Sequence, residues 1–155
     1  MKTKFKQYIK EIITFVVMVV IISNVVSYYK SIDINKTKLD IENISTNGEP
    51  IVIHFWSTWC PICKVEAPNI ENISQNYNVI TIAVGTTKEK IKEYLKENNL
   101  SFKVINDENS LYANRYNISV YPTTLIYDKD KDLIFSEVGY TSTLGLKLRL
   151  WWAGL

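Results

Sequence analysis

Two cysteines and one histidine are the chemically unusual residues in this 155-residue chain. The cysteines stand three apart, in Cys60-Pro61-Ile62-Cys63, and chance puts a pair at that spacing in roughly one per cent of placements. Such a pair can exchange electrons as dithiol and disulfide, hold a soft metal, or form a static crosslink. A static crosslink would close a tiny loop, where loop entropy stabilises little. Two cysteines are too few for a disulfide-rich scaffold or a four-Cys zinc site. The metal alternative is a Cu(I)-binding, metallochaperone-like module using Cys60, Cys63 and His54. A copper carrier would be expected to add Met or His donors, and this chain has Met1 and Met18 only. The redox reading therefore leads, with no metal and no cofactor.

The flanking elements sharpen it. Ile51–Trp56 is a short apolar run and predicts a buried strand. A helix is predicted from Cys60 to about Asn76, with Pro61 at its start and Pro68 as a kink. Side chains three apart on a helix have Cβ atoms about 5–6 Å apart, whereas a disulfide wants about 3.5–4.5 Å. At the cap, with non-helical angles, Cys60 can swing toward Cys63. Unpaired N–H groups and the dipole of a helix start stabilise a thiolate. Cys60 is thus expected to be the more acidic, more open, attacking or attacked sulfur. Cys63, one turn inside, resolves the mixed disulfide. Pro61 removes an amide donor near the Cys60 sulfur.

Further along, strands are predicted at Val79–Val84, Phe102–Ile105, Thr123–Tyr127 and Leu133–Val138, the last two joined as a hairpin. Helices are predicted at Thr87–Asn98, capped by Thr87, and at Ser110–Tyr116, ended by Asn117 in the left-handed region. From Leu144 onward the apolar residues fit both a strand and a helix; the spacing 144, 148, 151, 152, 155 favours the helix. The order predicts an α/β domain, with a central sheet covered on both faces.

Composition narrows the function classes. Hydrophobic residues are 46% and charged residues 22%, as in ordinary globular chains. The net charge of +2, without a basic stripe, argues against nucleic acid as a partner. Ile12 to Tyr29 carries no charge and is long enough to span a bilayer. Lys2, Lys4, Lys6 and Lys10 precede it, so the N-terminus is expected in the cytoplasm and the rest outside. A cleaved signal peptide would have a shorter apolar region and small residues at its end. The expected organisation is a cytoplasmic stub and anchor over 1–30, a polar linker or N-terminal extension over 31–50 with a short strand near Leu39–Ile44, and the thioredoxin-sized folded domain over 51–155.

Trp56-Ser-Thr-Trp-Cys-Pro-Ile-Cys-Lys64 resembles the W-x-x-W-C-x-x-C-K site of thioredoxin-like proteins. Arg115-Tyr-Asn-Ile-Ser-Val-Tyr-Pro-Thr-Thr124 resembles the segment leading to that family's cis-proline. The lysine-flanked span, Glu66, Pro68 and Asn106-Asp107 are similar to the TlpA-type, membrane-tethered branch. The ending Leu146-Lys-Leu-Arg-Leu-Trp-Trp152 is similar to its copper-sensitivity-suppressor D type. The resemblance implies a thioredoxin-like fold with a mixed sheet. It implies a periplasmic or extracytoplasmic thiol–disulfide oxidoreductase tethered to the inner membrane, acting on exported proteins with thiols or disulfides and served by a membrane redox partner. It makes Pro122 the cis-proline facing the cysteines and Tyr121 a backbone contact for extended substrate. Trp59 would offer an apolar surface to partners. His54 stands where thioredoxins carry a buried Asp; it is a proton-acceptor candidate for Cys63 or else a satisfied core histidine. Glu66 is the second proton-transfer candidate. A peroxiredoxin-type peroxidase would need Pro seven residues before its Cys, where this chain has Ile53.

Overall fold

β1 (Ile51–Trp56) is the central strand: all six of its residues are buried and both of its edges are paired. A run buried on both faces reads as continuous apolar sequence rather than alternation. The computed structural model describes residues 2–35, 38–39, 41 and 48–155. Its elements in chain order are α1 (Lys2–Ser31), β1, α2 (Pro61–Ser74), β2 (Asn78–Val84), α3 (Lys88–Glu97), β3 (Lys103–Asp107), α4 (Leu111–Arg115), β4 (Thr123–Tyr127), β5 (Leu133–Val138) and α5 (Thr143–Ala153). The five strands lie in the order β3-β2-β1-β4-β5. β1, β2 and β3 are parallel; β4 and β5 run antiparallel to their neighbours. This is the expected thioredoxin-like arrangement, and the ambiguous final segment is a helix.

Alternation along β1 divides the core. Val52 and Trp56 face a cluster with Ile70 and Ile73 of α2, Ile91 and Tyr94 of α3, and Leu146 and Leu150 of α5. Ile51, Ile53 and Phe55 face the opposite cluster with Ala113, Tyr116 and Ile118. Local signals set the helix ends. Thr87 accepts from the Lys90 N–H at 3.4 Å, and Asn117 takes φ 54° after α4. Asp107 carboxylate oxygens accept from the Tyr112 and Ala113 N–H groups, capping α4 from the end of β3.

The segment read as a linker does more than connect. Ile34, Leu39 and Ile41 are buried in the second cluster. The Asn35 N–H donates to the Tyr116 carbonyl, and the Leu39 N–H to the Lys131 carbonyl, both at 3.1 Å. These side chains share a core with β1 and β4, so a boundary at residue 50 cuts through that core. The short strand expected over 39–44 falls mostly outside the described residues, and Leu39 and Ile41 are not in a strand.

α1 contains an apolar stretch, Gln7–Tyr29, of 23 residues with mean hydropathy 2.2. At 1.5 Å per residue it is about 35 Å long, enough for a hydrocarbon core of about 30 Å. Its C-terminal part lies beside β5, where the Val138 N–H donates to Ser27 Oγ at 3.0 Å. That bond occupies one donor of an edge strand that would otherwise be open to pairing.

Candidate active site

Pro61 begins α2, and Cys60 is its N-cap residue with φ −84° and ψ 114°. Those extended angles turn the Cys60 side chain back over the first turn. Cys60 and Cys63 form a disulfide, with Cα atoms 5.3 Å apart. The Cys63 N–H donates to Cys60 Sγ at 3.2 Å. The cap position normally taken by a Ser or Asp oxygen is therefore filled by sulfur, the atom that gains charge on reduction. Cys60 keeps 4% of its surface and Cys63 1%. The opening onto the disulfide is narrow.

The loop before β4 closes the other side. The Tyr121–Pro122 peptide bond is cis, and the Tyr121 carbonyl oxygen lies 3.6 Å from Cys60 Sγ. Once the disulfide is reduced, a Cys60 thiol can donate to that oxygen. Pro122 is buried. Trp59 is 63% exposed and meets the Tyr121 ring edge-on, with centroids 6.0 Å apart. Pro61, Ile62 and Val65 are exposed on the same first turns of α2. Trp56 instead points into the core, where its indole N–H donates to Thr81 Oγ1 at 3.0 Å.

Glu66 follows Cys63 by three residues, so the two side chains are neighbours on the inner face of α2. Glu66 is fully buried. Its Oε1 accepts from the Thr141 N–H at 3.0 Å, while Oε2 is buried with no hydrogen-bond partner. Burial pushes its carboxyl up to about 8, against the smaller opposing pull of the Thr141 N–H. A carboxylic acid held near that value can keep a proton at neutral pH and release it to a neighbouring thiolate.

His54 sits on β1, paired across the sheet with Thr81 and Thr124. Its Nδ1 lies 3.0 Å from Thr124 Oγ1, and burial lowers its pKa to about 3. A base this weak does not draw a proton from a thiol, which ordinarily titrates near 8.5. Burial and the Thr124 contact favour the satisfied core histidine over the proton acceptor. Among the described residues no three His, Cys, Asp or Glu side chains gather as metal ligands. Thr124 and Thr141 are the participants that sequence reasoning missed, and neither carries a local signal.

A "Thioredoxin-like protein" of Haemophilus influenzae is 33% identical over 124 residues, covering 78% of this chain and 72% of its own. The "Sporulation thiol-disulfide oxidoreductase A" of Bacillus subtilis is 23% identical over 113 residues, covering 68% of each. The crystal structure of a secreted Mycobacterium tuberculosis disulfide oxidoreductase, described as homologous to Escherichia coli DsbE, superposes with a TM-score of 0.60 at 27% identity. That match covers 66% of this chain and 81% of the other. Residues 29–136 match the AhpC/TSA family model, from the last turn of the apolar helix through the cysteine pair to β5. By that match, and by the thioredoxin-like relative a third identical to it, the chain belongs to the AhpC/TSA family within the thioredoxin-like fold.

Proposed function

We propose that this chain, a protein thiol–disulfide oxidoreductase, works outside the cytoplasm on exported proteins while α1 holds it to the inner membrane with its N-terminus inside. The observation that carries the activity is the Cys60–Cys63 disulfide at a helix N-cap, with the Tyr121 carbonyl 3.6 Å from Cys60 Sγ. The names of the relatives, thiol-disulfide oxidoreductases and secreted proteins among them, support the reading. The apolar helix Gln7–Tyr29 supports the tether.

In the oxidising direction a substrate thiolate attacks Cys60 Sγ. The Cys60–Cys63 bond breaks and Cys63 leaves as a thiolate. Glu66, protonated because it is buried, supplies the proton that Cys63 takes up. A second substrate thiolate then attacks the substrate sulfur of the mixed disulfide. Cys60 leaves as a thiolate, stabilised by the Cys63 N–H. The two substrate sulfurs have lost two electrons to the cysteine pair; of the two protons released when the substrate thiols ionised, one restores Glu66 and the other stays in solvent while Cys60 is a thiolate. A membrane redox partner resets the dithiol. Run in reverse, the same steps reduce a substrate disulfide. Trp59, Pro61 and Tyr121, with Pro122 behind them, form the surface on which an extended substrate segment lies.

The test uses the full chain in detergent with glutathione disulfide and insulin as substrates, alongside equilibration against glutathione to obtain the potential. Catalysed exchange that is lost in Cys60→Ala is expected. Stoichiometric Cu(I) retention without exchange would overturn the reading in favour of a copper carrier. For the location, alkaline-phosphatase fusions after residue 155 are expected to be active. An inactive fusion with a cytoplasmic reporter active in its place overturns the orientation.

A further inference from the structure

Two side chains of α2 hold the backbone of Thr141. Its N–H donates to Glu66 Oε1 at 3.0 Å, and its carbonyl accepts from Asn69 Nδ2 at 3.1 Å. Glu66 and Asn69 are three residues apart, neighbours on one face of the helix. The Asn69 amide reaches further: Nδ2 also donates to Tyr140 Oη at 3.1 Å, and Oδ1 accepts from Thr143 Oγ1 at 2.9 Å. A carbonyl only accepts, so the Thr141 bond fixes which end of the amide carries the hydrogens. Both amide protons and one lone pair are therefore spent on residues 140–143, the passage from β5 into α5. The ends of this passage have their own anchors. The Gly139 N–H donates to the Pro122 carbonyl at 2.8 Å, and Ser142 Oγ accepts from the Gly145 N–H at 3.2 Å.

The passage stands between a carboxyl and water. Tyr140, Thr141 and Ser142 line a cavity of about 290 Å³ together with Glu137, Gly145 and Arg149. Glu66, behind Thr141, has no exposed surface, and its Oε2 has no partner. A buried acid keeps its proton only while water is kept away, since solvation favours the charged form. If the passage lifted, water from the cavity would reach the carboxyl and let it ionise in the ordinary acid range. The other titratable groups around Glu66 do not supply this control. Cys63 stands one turn before it on α2, with its sulfur in the disulfide. His54 faces α2 from β1, on the side of Val52 and Trp56, and burial lowers its pKa to about 3, so it is neutral wherever Glu66 titrates. Glu137 of β5 lies in one cross-strand row with His54 and Thr124, and Arg149 of α5 meets its charge at 2.7 Å.

We propose that Asn69 is a positioning residue for Glu66: by clipping residues 140–143 onto α2 it holds the Thr141 N–H on the Glu66 carboxyl and keeps the water of the neighbouring cavity off it. The proposal rests on the reading of Glu66 as the proton donor to Cys63. Asn69 touches neither sulfur; it acts through the acid.

The test compares the full chain in detergent with Asn69→Leu, Thr143→Val and Glu66→Gln. It reads the pH profile of exchange in the oxidising direction and the infrared C=O band of a protonated carboxyl, assigned to Glu66 by its loss in Glu66→Gln. Substrate thiol ionisation is common to every variant and cancels in the ratio to wild type. Asn69→Leu removes all three bonds at similar volume. Its limb, near pH 8 in the wild type, is expected to fall by about one pH unit or more. Its band should vanish at neutral pH and return in acid. Thr143→Val removes one bond, and its limb should fall less. An Asn69→Leu chain that melts earlier but keeps the limb and the band gives Asn69 a structural role only and overturns the proposal. Should that variant not fold, Thr143→Val decides: a lowered limb supports the clip and an unmoved one overturns it. A wild type without the band at neutral pH overturns it too, because the acid is then already ionised. A band that answers to Asn69→Leu while Glu66→Gln exchanges at the wild-type rate removes Glu66 as the proton donor and leaves the clip standing.

Discussion

The Cys63 backbone N–H points at Cys60 Sγ from 3.2 Å, so the second cysteine offers the first a hydrogen bond through its main chain. In the proposed exchange its side chain is the leaving group, which gives one residue two separable functions. Replacing its side chain removes resolution and keeps activation.

Cys63→Ala is accordingly expected to keep an acidic Cys60. Iodoacetamide labelling of the reduced variant across pH should give a midpoint well below the 8.5 of a free thiol. The same variant should accumulate mixed disulfides with substrate, because nothing resolves them. Cys60→Ala should show neither. A Cys60 midpoint at or above 8.5 would falsify the N-cap account.

Glu66→Gln keeps the Thr141 N–H bond and removes the proton. General acid–base assistance typically contributes about 10²-fold or more. Exchange in the variant is expected to slow by about that factor at neutral pH. The wild-type profile should carry a limb near pH 8, where Glu66 titrates, and the variant should lack it. A variant whose rate and profile match the wild type would leave Glu66 with a structural role only.

Glu66 and His54 also make stability depend on pH, with opposite signs. The Glu66 carboxyl is raised from 4.5 to about 8, so the folded state holds a proton that the unfolded state releases. Its contribution is full below pH 4.5 and is lost as pH rises toward 8. The His54 imidazole is lowered from 6.5 to about 3, so the unfolded state binds the extra proton. Its contribution is full above pH 6.5 and is lost as pH falls toward 3. Between 4.5 and 6.5 the two slopes oppose each other, and stability is expected to plateau there. Urea midpoints across pH should fall on both sides of that window. Glu66→Gln should flatten the alkaline side and His54→Asn the acid side.

Thr81→Val removes the acceptor for the buried Trp56 indole N–H. An unsatisfied buried donor costs about 1–3 kcal/mol. Thermal unfolding should shift down by several degrees. Exchange activity at 25 °C should not change, because the substitution leaves Cys60, Cys63 and the Tyr121 carbonyl in place. A lost activity at unchanged stability would mean that Trp56 reaches the reacting sulfurs.

The chain's local patterns were enough to identify the chemistry. Cys60 and Cys63 are three apart at a strand-to-helix junction, and a helix start turns that spacing into a reactive pair whatever lies elsewhere. The five strands, the capped helices and the apolar Gln7–Tyr29 stretch follow from periodicity and cap residues, which act within a few positions. The environment of the site did not follow. The Glu66–Thr141 contact joins residues 75 apart in the chain, and the His54–Thr124 contact joins residues 70 apart. Which buried acid keeps its proton is set by what those contacts exclude, namely water. Ile34, Leu39 and Ile41 read as scattered apolar residues in a polar stretch, and only the space beneath β1 and β4 made them core. The final helix shows the division most plainly. Its spacing allowed two apolar sides, and tertiary packing decided that Leu146 and Leu150 face the sheet while Trp151 and Trp152 face out. Short-range sterics and hydrogen bonding are written residue by residue; desolvation is a property of the assembled chain.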